Sequence, residues 1–578
     1  MLITINSLKN FDIKSNKFFK YKNISILLKY KKNCLFNKNF FICIDGFVTD
    51  KNDKILSKKL ILDRVSSLKN DLELVSTIKT FGGAFGIFLY DIQKAKTYFF
   101  KDEDGYRPLF YQKKKNSIII STNIKDLKKI KNLDINYVFL KKYITYRYNY
   151  LYGLKNTFFK KTFFLPAASY LILYKNSLKV IRYSNYEIKT NKELEFKDAK
   201  SKIFSEIVKL FKLKKKEFTN KTILALSGGM DSTSGAFFIK KINKKGIDSF
   251  TANYNLKHTS IDEALEAGKV ARKFSKVWHK IDINSKDFLK SWNDIYSNYS
   301  YPLPTSSFLG YHMMYSKISK MGYNKIINCG NPDHYFLGNY PAFLYYLSDL
   351  FFLKKKEFSK ELKYWIKNHS TKQFPKSKKL FLEFYKNNIL KKELFSIKPK
   401  IEIVGKKYID SFNKDIYSSK FKSNNFLNAY LKMCLWLSER QAGIVTFDEM
   451  SNNLSIKNVD PFIGERIKNL TYSLPANYKI DKGTLKFIFR KIMKKYLPKS
   501  IVKNNNKIGY DLPFLYWLNH DKKIKTNVIN LLLEAKQKKF YNFININKII
   551  NDVKNNNITD HMFLWQLINS IKWEKSNT

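Results

Sequence analysis

The chain has 578 residues, 44% hydrophobic and 16% aromatic, with 20 Gly and 12 Pro, which excludes a disordered or collagen-like polymer and leaves room for two to five domains at ~100–200 residues each. Lys and Arg number 107 against 48 Asp and Glu, a net charge of +59, but the lysines run along the whole chain among Asn, Ile, Phe and Tyr. The longest basic knots are 113–115, 214–216 and 354–356, so the charge is read as a solvated surface and no specific nucleic-acid partner is expected.

Residues 1–183 carry short apolar or aromatic runs between turns, at 24–30, 41–48, 83–91, 97–100, 117–122 and 169–174. That rhythm predicts a β layer or sandwich with few helices. Residues 184–200 are polar and lysine-rich, a linker that leads into a helix. From Thr222 the pattern changes to short buried strands at 222–226, 249–255 and 325–329 with helical patterns between them, the signature of a parallel sheet with crossover helices. Beyond Pro341 the reading is helical, without further strand rhythm.

The most apolar stretch, Ala342 to Leu353, is interrupted by Asp349 and is shorter than the ~18 residues of a membrane span. The first eighteen residues have no basic region followed by an apolar core, so no secretory signal is read. Cys34, Cys43, Cys329 and Cys434 form no CxxC site and predict no disulfide framework. The expected setting is a reducing cytoplasm, away from membranes.

The strand at 222–226 runs into Ser227-Gly228-Gly229-Met230-Asp231-Ser232 and then a helix. Two glycines let backbone N–H groups approach an anion, and a helix N-terminus adds a favourable dipole. Asp231 would repel a phosphate unless a cation lay between them, so it reads as a Mg²⁺ ligand. The Walker spacing is absent. Leu226, Ser227, Gly228, Gly229, Asp231 and Ser232 are therefore the expected ATP-binding residues, in a loop that resembles the pyrophosphate loop of the N-type ATP pyrophosphatases.

The resemblance extends over nearly the whole chain. Asp448-Glu449-Met450-Ser451 through Asp460-Pro461-Phe462 to Ser473-Leu474-Pro475, then Gly483-Thr484-Leu485-Lys486 with Arg490, then Lys507-Ile508-Gly509-Tyr510 with Pro513, Trp517 and Leu518, follow in order the synthetase domain of the asparagine synthetase family. Upstream, Asp45-Gly46, Gly83-Ala84-Phe85 and Asp102 to Leu109 resemble that family's glutamine amidotransferase domain. The resemblance implies an α+β, β-layered amidotransferase-like domain over residues 1–190. An α/β parallel-sheet nucleotide domain with a helical C-terminal part would occupy residues 191–578. It further implies Lys486 and Lys507 as catalytic cations, and Gly330 and Asp333 in a second loop, with Asp333 as a further Mg²⁺ ligand.

Four positions depart from the family pattern, one of them Glu449 in place of the family's Arg. An active glutaminase here uses a cysteine at the first residue of the mature chain, where this sequence has Leu2. The Asp that holds the glutamine amine is Ala84. Lys457 stands where relatives that close a β-lactam ring carry a catalytic Glu.

The expectation is an ATP-dependent carbon–nitrogen ligase, asparagine-synthase-like and AMP-forming. It would use ATP and Mg²⁺, a small-molecule or peptide carboxylate, and ammonia or an amine. An intramolecular ligase resembling β-lactam synthetases or lasso-peptide cyclases is the alternative. An RNA-modifying enzyme with the same loop and an inactive scaffold are further readings, and a homodimer is one option for assembly.

Overall fold

The computed structural model describes residues 1–5, 18–21, 24–27, 34–113, 118–130, 132–146, 148, 151–175, 177–256, 263–369, 374–390, 425–505 and 512–578. The first third is a sandwich of two antiparallel sheets. One runs Thr162–Phe164, Phe110–Lys113, Ile118–Ser121, Leu2–Ile5, Ile24–Leu27, Phe18–Tyr21 in spatial order, and the other Ser177–Arg182, Ser169–Tyr174, Lys96–Lys101, Gly82–Asp91, Phe40–Thr49, Cys34–Phe36.

Strand alternation builds its cores. In Phe40–Thr49, Phe41 and Cys43 turn into the layer between the sheets with Phe88, Phe99 and Ile120. Ile42, Ile44 and Val48 turn the other way, onto Ile61, Leu62, Val65, Leu74 and Ile78. Those partners belong to two helices, Lys58–Ser66 and Asp71–Lys79, capped by Ser57 and Asn70. Helices Ile124–Ile130 and Tyr137–Thr145 follow, so this third holds more helix than its strand rhythm suggests. Cys34 and Cys43 face each other in the antiparallel register and are disulfide-bonded, a link the cysteine count did not predict. Cys329 and Cys434 are buried and not disulfide-bonded.

The helix Phe196–Leu213 opens the second part. Its parallel sheet runs Trp278–Asp282, Asp248–Asn253, Thr222–Ala225, Lys325–Ile327, Lys457–Val459. The last of these strands lies beyond Pro341, in a stretch read as helical. Helices account for most of the remainder, and among the described residues no helix is long and apolar enough to cross a membrane. The aromatic core Trp292, Trp565 and Trp573 is continuous with Phe110, Tyr143 and Phe158 of the N-terminal part, so one hydrophobic core joins the two halves.

Candidate functional site

The chain lays down Thr222–Ala225, moves outward to Asp248–Asn253 and Trp278–Asp282, then returns to the other side of the first strand with Lys325–Ile327. That reversal is a topological switch point, and the crevice beyond the carboxyl ends of the two flanking strands is where open α/β sheets bind ligands. Ser227–Ser232 follows one of those strands, and Gly330 and Asp333 follow the other.

Gly228 has φ +66, and a Cβ there would meet the Ala267 backbone nitrogen at 2.9 Å, so the turn needs glycine. The Ser227 and Ser232 hydroxyls lie 3.0 Å apart, and the Ser227 N–H donates to Ser232 Oγ at 3.1 Å, closing the loop on itself. Leu226 anchors its base: its N–H donates to Phe250 O at 2.9 Å and its carbonyl accepts from Thr251 Oγ1. The helix Met230–Ile242 starts at Gly229 without any side-chain cap. A helix start without a side-chain cap turns its first N–H groups toward an anion, as a triphosphate would require.

Lys486 Nζ lies 2.6 and 2.5 Å from the two Asp231 carboxylate oxygens and 2.6 Å from Asp333 Oδ1. The structure thus brings together three of the predicted residues from three distant segments. Lys486 takes φ +55 just ahead of the helix Phe487–Met493. An ordinary side chain held in the left-handed region marks a site where packing overrides backbone preference. The cradle also needs Gly338, since a Cβ there would sit 2.0 Å from Lys486 Cε and 2.1 Å from Asp333 Oδ1.

Two carboxylates aimed at one cation suit Mg²⁺, which takes one or two carboxylates and completes its shell with phosphate oxygens and water. No group of three or more His, Cys, Asp or Glu placed to hold a metal occurs among the described residues.

The second loop is held by a residue whose role was not foreseen. Asp460 Oδ2 accepts from the Gly330 and Asn331 N–H groups at 2.9 Å each and from Asn331 Nδ2 at 2.7 Å, while Oδ1 accepts from the Phe462 N–H. Burial pushes this carboxyl upward against those bonds. Asp460 therefore sets the start of the short helix Asn331–Tyr335 that carries Asp333. Arg490 spends its side chain on the carbonyls of Leu485 and Val502, bracing the segment beyond Lys486. Lys457 pairs with Glu217 at 2.9 Å, and Lys325 reaches the same carboxylate at 3.1 Å. Lys507 lies outside the described residues, as do Ile508, Gly509 and Tyr510.

A cavity of about 1610 Å³ joins the loop to the N-terminal sandwich, and Asp45, Gly83, Ala84 and Arg107 line it together with Ser227, Asp231 and Lys486. Arg107 bridges the halves, donating to Asp45 at 2.8 Å and to Asp448 at 2.6 Å. Burial alone would raise the Asp45 carboxyl, but Arg107, with the N-terminal ammonium and Thr122, outweighs it and holds the group well below the usual range. Glu449, at the family's Arg position, faces away from the cavity. It is buried and accepts from the Ser300 N–H at 3.2 Å, and burial raises its pKa to about 7.

Residues 221–573 match the family model described as asparagine synthase, and residues 74–184 match the model described as a glutamine amidotransferase domain. No curated protein matches the chain. Among solved structures it is similar to a glutamine phosphoribosylpyrophosphate amidotransferase from B. subtilis complexed with ADP and GMP, at 8% identity and TM-score 0.19 over 45% of this chain and 50% of that one. A structure described as the allosteric regulatory enzyme of purine biosynthesis is similar at 7% identity and TM-score 0.19, over 42% of this chain and 60% of that one. The chain thus spans half to three fifths of the length of those two proteins.

Proposed function

The chain belongs to the asparagine synthase family of ATP-dependent amide-forming ligases, and from that premise we propose that it activates a carboxylate by adenylation and passes the acyl group to ammonia or an amine. The observation that carries this reading is the convergence of Asp231, Asp333 and Lys486 at the switch point beside the Gly228-Gly229 loop.

ATP is a substrate here. A carboxylate oxygen attacks the α-phosphorus, the bond to the β-phosphate oxygen breaks, and pyrophosphate leaves with the electron pair. The nitrogen lone pair then attacks the acyl carbon, the bond to the AMP oxygen breaks, and the nitrogen loses a proton. Negative charge accumulates on the phosphate oxygens in the first step, and preorganised donors aimed there supply the largest part of the catalysis. The loop N–H groups, the uncapped helix start and the Lys486 ammonium are this chain's donors. Asp231 and Asp333 would hold Mg²⁺, which compensates the triphosphate charge when bound. Lys507 is the second proposed cation.

Ala84 removes the amine anchor of glutamine hydrolysis, so free ammonia or a substrate amine is the proposed nitrogen source. The breadth of the cavity, beyond the ~300–1,000 Å³ common for small-ligand pockets, favours as a second reading an amine on the same molecule as the acid. The proposed domain limits remain 1–190 and 191–578.

The test is mass spectrometry of the protein with ATP, Mg²⁺ and a library of carboxylates and amines. AMP, pyrophosphate and a new amide in equal yield are expected. ADP and phosphate in stoichiometric yield with product would sink the assignment. Glutamate released from glutamine above a boiled control would restore the amidotransferase activity.

A further inference from the structure

A tight turn, Asp481 to Thr484, stands just ahead of Lys486. The Thr484 N–H donates to Asp481 O at 2.9 Å and the Asp481 N–H to Thr484 O at 3.3 Å, closing it. Its two central residues, Lys482 and Gly483, take φ +50 and +63. Gly483 lies directly on the helix Glu357–Asn368, since a Cβ there would meet the Trp365 backbone nitrogen at 2.4 Å. That helix and the residue after it grip the turn. Glu361 Oε1 accepts from the Lys482 N–H at 2.9 Å, and Oε2 accepts from the Gly483 N–H at 2.8 Å. Asn368 Nδ2 donates to Lys482 O at 2.8 Å, and His369 Nε2 lies 3.1 Å from Gly483 O.

Glu361 and His369 belong to no motif, yet both are spent on this one turn. Glu361 is 6% exposed, and burial pushes its carboxyl upward against its two backbone bonds. A buried carboxylate is a costly way to hold two N–H groups that water could satisfy. Burial lowers the His369 imidazole, which is therefore neutral at pH 7, and a carbonyl only accepts, so its proton sits on Nε2. The Trp365 ring stacks on both His369 and Phe343, each at 3.9 Å between centroids, tying the grip to the helix Tyr340–Phe352 that follows the Asp333 loop. Lys482 and Lys486 are ordinary residues in the left-handed region, and such backbone persists only where its surroundings over-determine it.

We propose that Glu361 and His369 are positioning residues for Lys486, acting through the turn to fix where its ammonium stands. This rests on the ligase reading, in which that ammonium meets charge developing on the phosphates. With the grip intact, Lys486 leaves the chain in its left-handed conformation and reaches Asp231 and Asp333. With the grip broken, Lys482 and Lys486 are free to relax toward right-handed backbone, which swings the ammonium off that point. ATP itself is held by the loop N–H groups of Ser227–Ser232. A displaced ammonium therefore costs stabilisation of the transition state and leaves ground-state binding nearly intact.

The experiment measures AMP formation against ATP concentration in the full chain and its variants. An amide in place of Glu361 keeps one acceptor and turns N–H₂ toward the other N–H, so Glu361→Gln should lower kcat at least ten-fold with KM for ATP within two-fold. His369→Phe removes the donor and should lower kcat at least three-fold, while His369→Gln, whose amide N–H reaches the same carbonyl, should recover most of it. Phe358→Leu is the control. Phe358 is buried on the same helix against Phe351 and Phe381, away from the turn, so this variant should melt earlier with kcat within two-fold. Trace acetylation with acetic anhydride, read by peptide mass spectrometry, reports on Lys486 without turnover. Glu361→Gln and His369→Phe should each label Lys486 at least five-fold faster than the unmutated chain, with the exposed Lys269 unchanged within two-fold.

Unchanged kcat in Glu361→Gln and His369→Phe, or a loss matched by Phe358→Leu, overturns the positioning role. So does a loss carried by KM alone, which would place the two residues in ATP binding. If Glu361→Gln does not fold, the His369 pair decides, and equal rates in His369→Phe and His369→Gln overturn the assignment. A chain that makes AMP but fails these tests keeps the ligase reading and loses the positioning role. A chain that makes no AMP loses the ligase reading, and labelling then decides alone: faster labelling of Lys486 upholds the grip and unchanged labelling overturns it.

Discussion

Two lysines in this molecule sit among carboxylates, and they do different things. Lys486 lies between Asp231 and Asp333, whose side chains are 15% and 17% exposed, on the wall of the cavity. Lys468 is fully enclosed, with Asp104, Glu103 and Glu465 around it at 2.8 to 3.3 Å. Glu103 and Asp104 come from the sandwich and Glu465 from the nucleotide half, so this cluster fastens one half to the other. Burial pulls the Lys468 ammonium down, but Asp104, Glu465 and Glu103 outweigh it and hold it well above its ordinary value. Glu465 is nevertheless pushed up to about 7 by burial, since one ammonium cannot serve three carboxylates fully. Asp104 and Glu465 also line the cavity, and Glu103 and Glu465 are about as exposed, at 20% and 19%, as Asp231 and Asp333; the clusters differ in the cation, which is 7% exposed at Lys486, the open cluster, and fully buried at Lys468, the closed one. Accessibility of the cation, not composition, separates a site from a fastening.

The sharpest way to break that distinction is to remove the carboxylates of the open cluster. Asp231→Ala and Asp333→Ala should each reduce AMP formation by ~10²-fold or more, as expected for a lost electrostatic contact at developing charge. Thermal unfolding should stay near that of the unmutated chain. Chromatographic assay of AMP beside a melting curve decides it, and near-normal turnover in Asp333→Ala would remove that residue from the site.

The closed cluster should respond in the opposite sense. Lys468→Met leaves Asp104 buried without its partner, and breaking a buried pair from one side costs ~3–5 kcal/mol. Denaturant titration should show that loss, while the folded fraction turns over within about two-fold of the original rate. Lost turnover with intact stability would make Lys468 part of the chemistry.

Glu449 tests burial without a strong cation. Its pKa is raised by burial to about 7 from an ordinary 4.5, against the Ser300 N–H and Lys125. Between those values the native state holds a proton that the unfolded chain has released, so stability falls as pH rises from about 4.5 to about 7. Above pH 7 both states are ionised and the slope from this group ends. Glu449→Gln should remove about 2–3 kcal/mol of that fall, at 1.36 kcal/mol per pKa unit. Urea melts at pH 5 and pH 8 measure it, and an unchanged difference would mean that Glu449 titrates normally.

The open cluster was legible in the sequence and the closed one was not. Ser227–Ser232 is contiguous, so its glycines, its acid and the strand before it could be read together. Asp333 and Lys486 were found through ordered motifs of the same family. Asp460 appeared in a motif too, but its hold on Gly330 and Asn331 depends on the pairing of Lys457–Val459 with Lys325–Ile327. That strand has three residues, two of them polar, and shows no period to read. The helices Lys58–Ser66 and Asp71–Lys79 are short and interleaved with charge, although Ser57 and Asn70 are cap residues that could have marked their starts. The Cys34–Cys43 bond needed the register of a hairpin. Lys468 becomes interpretable only once the halves are docked.

The smallest expected effect concerns Lys457, which stands where β-lactam-forming relatives carry a catalytic Glu. It is a third lysine among carboxylates, and it differs from both others in exposure. Its side chain is 58% exposed, and Glu217, its partner at 2.9 Å, is also held by Lys325 at 3.1 Å. Burial pushes the Glu217 carboxyl up, but these two lysines outweigh it and draw the group below its ordinary pKa. An exposed pair of this kind contributes ~0–1 kcal/mol, because solvent screens it and two long side chains lose freedom to hold it. With Lys325 already in place, losing Lys457 does not strand a buried charge. Lys457→Ala should therefore shift stability by less than ~1 kcal/mol and leave the AMP-forming rate within about two-fold. The same measurement separates two accounts of the residue, since Lys457 also lines the cavity. If it assists the incoming amine, the rate of amide release should drop while AMP formation on the acid alone persists. An unchanged ratio of amide to AMP in Lys457→Ala places it with the surface pairs, and a fall of ten-fold or more moves it into the acceptor step.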